Sequence, residues 1–148
     1  MTPDDTFRTR NDTLARRAGL VALGGGTAVI LYWTLYFLGT IETEPAGSTL
    51  HAFESAFPPA DALLCLAALA AGGALLRGAR SGVFFLIVAA SMSLYLGVLD
   101  VSFYGRLGFY FPLNGAGCIE LIVNLLCIVG GAYGVRLAWM LWGGGREE

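Results

Sequence analysis

Four apolar runs, each long enough to cross a bilayer, leave this chain few ways to fold. The first, from Ala18 to Ile41, holds no charged residue, and the others cover about 59–76, 81–101 and 114–142. A helix rises about 1.5 Å per residue, so about 20 apolar residues span the hydrocarbon core of a membrane. Lipid offers the backbone no hydrogen-bond partner, and a helix satisfies its own. Only 14% of residues are charged, against about a quarter in soluble domains. The expected fold is an all-α integral membrane protein: a four-transmembrane-helix bundle over 18–142, with polar tails at 1–17 and 143–148.

Arginine, the only basic residue type apart from one histidine, predicts the orientation. Arg8, Arg10, Arg16, Arg17, Arg77, Arg80, Arg136 and Arg146 fall on one side of a four-span path, and Arg106 alone on the other. Basic residues favour the cytoplasmic side, so both termini are expected there. The first run is longer than the roughly 7–15-residue apolar core of a cleavable signal and is read as a retained helix. Segment 1–17 is expected to be a short tail, frayed or weakly helical. Segments 42–58 and 102–113 become the outer loops. Within the first, a short amphipathic helix from Ser48 to Phe57, capped by Ser48 or Thr49, is expected, ending at Pro58-Pro59. The expected location is a bacterial inner (plasma) membrane.

The polar residues inside the spans are few and patterned. Glu120, Asn124, Cys127 and Gly131 are spaced by four, three and four, so they share one face of the last helix. A carboxyl group at that depth is costly against lipid and points toward protein or water. Asp61 opens the second span and Asp100 closes the third, which places both at a depth similar to Glu120; each alone reads first as an interfacial carboxylate solvated by water. Three acids gathered there cannot all stay ionised cheaply, and such a cluster suits a cation, a proton relay or a ligand bearing an amine or hydroxyl. The candidate ligand-binding residues are Glu120, Asn124, Asp100, Asp61, Tyr104 and Tyr36. Tyr32 and Tyr95 are further wall candidates. Tyr32, Trp33, Tyr36 and Phe37 read first as an interfacial aromatic belt, with Tyr32 and Tyr36 lining a cavity as the sharper alternative.

Other chemistries find little support. The three cysteines lie within the spans without a Cys-x-x-Cys spacing. One loop histidine, His51, makes neither a zinc-enzyme site nor a nucleophilic triad. No phosphate-binding loop or basic patch points to nucleotides or nucleic acid. Three functions remain, in order: binding or conducting a small ligand or cation at an acid-lined site open to the outer side; an accessory subunit of a larger membrane complex; and an acid/base enzyme acting on a lipidic substrate. The expected partners are the bilayer itself and, through glycine-rich faces such as Gly130-x-x-x-Gly134, a second copy or other membrane subunits. No cofactor or catalytic residue is assigned.

Overall fold

The computed structural model describes residues 3–40, 48–111 and 115–143. Every regular element among them is a helix: α1 Pro3–Phe37, α2 Thr49–Glu54, α3 Pro58–Leu76, α4 Ser81–Arg106 and α5 Gly115–Gly143. Four of these are long and apolar enough to span a membrane, α1 over Asp12–Phe37 and α5 over Gly117–Gly143. Of the segments expected above, residues 1–2, 41–47, 112–114 and 144–148 lie outside the described residues.

Two helices run further than the charge pattern suggested. α1 begins at Pro3 and passes unbroken into the first span. Extending an existing helix fixes one residue per hydrogen bond, whereas nucleating one is costly, so a polar segment joined to a stable span is carried along. Proline suits the first helical position, where its missing N–H is not needed. α4 continues past Val101 to Arg106, which brings Tyr104 onto the face of Asp100, four residues earlier.

The connections between helices follow local chemistry. Ser48 caps α2, its Oγ accepting from the His51 backbone N–H at 3.0 Å. Pro58 and Pro59 then occupy the first turn of α3 rather than breaking it. α4 ends with Gly108 at φ +68°, a left-handed turn that glycine adopts without strain. The Phe109 N–H bonds back to the Tyr104 carbonyl and that of Gly108 to Gly105, which folds Tyr110 under the helix end.

The helices pack in the order α1, α3, α4, α5, with α4 and α5 in the most extensive contact and α1 and α5 meeting more sparingly. At the end bearing the chain termini all four join one core: Ala15, Ala18, Leu75, Val83, Leu137 and Leu141 belong to it. Nearer α2, a second core of Leu64, Ala68 and Ala89 receives Val29, Met92 and Leu96, with no residue from α5. The α4–α5 seam is tight because of Gly131. A Cβ there would stand 2.7 Å from the Leu94 nitrogen and 2.8 Å from the Ala90 carbonyl oxygen, both backbone atoms. Gly134 also faces Ala90, so the glycine face considered above for partner contacts is partly occupied within the chain.

Candidate ligand site

Because α5 is absent from the second core, the bundle is hollow there. The cavity has a volume of about 320 Å³. One end is polar: Glu54, Asp61, Asp100, Glu120 and Asn124 all line it, with Tyr32, Trp33 and Tyr104 among them. The other end is bounded by apolar and glycine residues of α1, α4 and α5.

Each of the first four helices contributes to the polar end for a local reason. The closing turns of α1 supply Tyr32 and Trp33, α2 supplies Glu54, the first turn of α3 supplies Asp61, and the last turns of α4 supply Asp100 and Tyr104. α5 adds Glu120 and, one turn deeper, Asn124. Three of the four carboxyl groups take a hydrogen bond from an aromatic side chain. Tyr32 donates its hydroxyl to Glu120 at 3.3 Å, the Trp33 indole N–H donates to Asp61 at 2.7 Å, and Tyr104 donates to Glu54 at 2.9 Å. Among the described residues no side chain donates to Asp100. The α2 helix that carries Glu54 is fixed by Phe53, whose ring stacks on Phe103 at 3.6 Å.

Asn124 is the most deeply buried polar side chain, with 1% of its surface exposed. Its amide nitrogen donates to the Tyr110 hydroxyl at 3.0 Å, while its Oδ1 has no partner. Exchanging the amide's nitrogen and oxygen leaves one polar atom unpaired either way. A buried amide group without a partner costs about 1–3 kcal/mol, and this one lies on the cavity wall. Burial pushes the Tyr110 phenol up from its usual value, with the Asn124 bond opposing.

Five of the six residues singled out from the sequence therefore border one cavity: Glu120, Asn124, Asp100, Asp61 and Tyr104. Tyr36 does not line it. Its ring packs on Trp33 at 5.0 Å and on Phe37, within the aromatic cluster that ends α1. Tyr95 points away, 67% exposed. Trp33 and Glu54 carry the site without having been singled out for it. A tryptophan near a span end reads as an interfacial anchor, and a loop glutamate reads as solvated. Glu54 lay within an expected short helix, whereas adjacency to Tyr32 gave no signal for Trp33, since neighbours on a helix point about 100° apart. Among the described residues no three His, Cys, Asp or Glu side chains converge closely enough to hold a metal ion. The acids surround a space instead of meeting at a point.

These features define a small helical membrane bundle with an acid-walled chamber in one half. Comparison of the chain with family models, curated proteins and solved structures gave no match to any of them.

Proposed function

We propose that this protein binds a small organic cation in the membrane, with Asp100 and Asn124 as its direct polar contacts and Glu120, Asp61 and Glu54 as flanking charge. The observation that carries this reading is the cavity's one-sided charge. Among the described residues four carboxyl side chains line it and no arginine does. A cleft lined by one sign of charge between low-dielectric walls concentrates ions of the other sign. Spread around about 320 Å³, the acids suit an ammonium group with substituents more than a bare ion. The aromatic rings beside them add to the attraction, since ring faces are electronegative. The three aromatic donors hold their carboxylates in place, which leaves Asp100 and the Asn124 oxygen as acceptors for a ligand's N–H groups. In this reading the termini lie in the cytoplasm, as the arginine bias favours, and the α2 end faces outward.

The test uses hexylamine and hexanol, matched in chain and differing in charge, with the purified protein in detergent. Hexylammonium is expected to raise Tm in a dose-dependent way and hexanol is not. Asp100→Asn should remove most of that rise. Equal shifts from both compounds, or none from either, would overturn the cation site.

A further inference from the structure

The cavity does not stop at its acids. Past Ser93 and Cys127 its lining continues to Val21 and Gly25 of α1 and to Leu126 and Gly130 of α5. These positions are on the outside of the bundle as well as in the cavity wall: Val21 is 43% exposed and Leu126 66%. A Cβ placed at Gly25 or at Gly130 would meet nothing within 4 Å. The two glycines lie midway along their spans, Asp12–Phe37 and Gly117–Gly143. The chamber thus reaches the surface of the bundle through a slot between α1 and α5 at the mid-depth of the membrane. What lies outside such a slot is acyl chain.

We infer that the ligand is a single-chain amphiphile with an ammonium head, entering sideways from the bilayer between α1 and α5 and leaving its alkyl chain in that slot. This rests on the cation site proposed above and specifies the ligand that uses it. Two physical arguments support it. A bare ammonium group would cross hydrocarbon to reach the slot only at high cost, whereas an amphiphile already resident in a leaflet has its tail there. The cavity also has the polarity of a leaflet. Its acids lie near the span ends, at membrane-surface depth, and its apolar end lies at the middle. The ten residues from Glu120 to Gly130 correspond to about 15 Å of helix, the separation between head level and slot. An amphiphile can slide in without turning over.

The experiment measures binding of radiolabelled dodecylamine and hexylamine to the full chain in phospholipid nanodiscs, with empty nanodiscs subtracted. Gly25→Leu and Gly130→Leu each place a side chain into the slot from one side, with open space around the first added carbon. Gly24→Leu is the control, because Gly24 is equally free of neighbours but does not line the cavity. Both slot variants are expected to weaken dodecylamine by about tenfold or more, because the leucine side chain occupies space that the alkyl chain needs. Hexylamine, too short to reach the slot, should bind as before, and Gly24→Leu should bind both like the wild type. Undiminished dodecylamine affinity in both slot variants overturns the lateral route while leaving the cation site intact. So does equal weakening of both amines, or the same loss in Gly24→Leu. Failure of the wild type to bind either amine overturns the cation site and the route together.

Discussion

At the scale of single residues, two adjacent glycines separate the roles of packing and access. Gly131 faces the α4 backbone, and Gly130 faces the slot. Gly131→Ala forces a methyl group against Leu94 and Ala90 and should cost about 1–3 kcal/mol, seen as a lower Tm in detergent. Gly130→Ala should stay within about 0.5 kcal/mol of the wild type in the same melt. Equal effects would place the tight seam elsewhere. A second residue-level expectation concerns Trp33, whose indole donates to Asp61. Trp33→Phe keeps a smaller aromatic ring and removes the donor, so stability should fall by about 1–3 kcal/mol. Combined with Asp61→Asn, the losses should be less than additive; strict additivity would mean the two groups do not interact. The inward face of Glu120 and Asn124 was legible from helical spacing alone. The inward turn of Trp33 was not, because an aromatic side chain at a span end satisfies the interface as well as it satisfies an acid.

At the scale of elements, the six-residue α2 is the part of the site most dependent on others. It has no buried residue of its own. Its hold comes from the Ser48 cap, the Phe53–Phe103 stack and the Glu54–Tyr104 hydrogen bond. Ser48→Ala should remove about 0.5–2 kcal/mol from this helix and speed amide exchange over Thr49–Glu54, with α3 and α4 unchanged. Unaltered exchange there would show that the aromatic contacts alone hold it. The cap was readable in the sequence, because a serine before an amphipathic stretch has a local signature. The extra length of α4 was not. Residues 102–106 carry the aromatics and arginine of an interface, and their contacts with α2, Phe53 on Phe103 and Glu54 with Tyr104, form only once the chain is folded.

At the scale of the whole molecule, the four spans were plain from hydropathy, while their arrangement in space was not. Which helices touch depends on side-chain size along several faces at once, and a patterned face, as on α5, says that it turns inward but not which helix it meets. The proposed orientation is tested with the endogenous cysteines replaced. Ala56→Cys should react with an impermeant maleimide in intact cells, and Ala79→Cys only after permeabilisation. The opposite pattern would turn the acid chamber toward the cytoplasm.

A barrel stave pulled away from its neighbour at the middle, but nailed at top and bottom, bows when the load around it changes. α1 and α5 are joined near the termini by the shared core and at the other end by the Tyr32–Glu120 bond. Between those points they part around Gly25 and Gly130. On the lateral route proposed above, the width of that opening would answer to the lipid around it, and a change in bilayer thickness would strain the two helices. Dodecylamine affinity is expected to differ between nanodiscs of short-chain and long-chain phosphatidylcholine, with hexylamine affinity constant. The membrane would then act on this protein as a mechanical setting as well as a solvent.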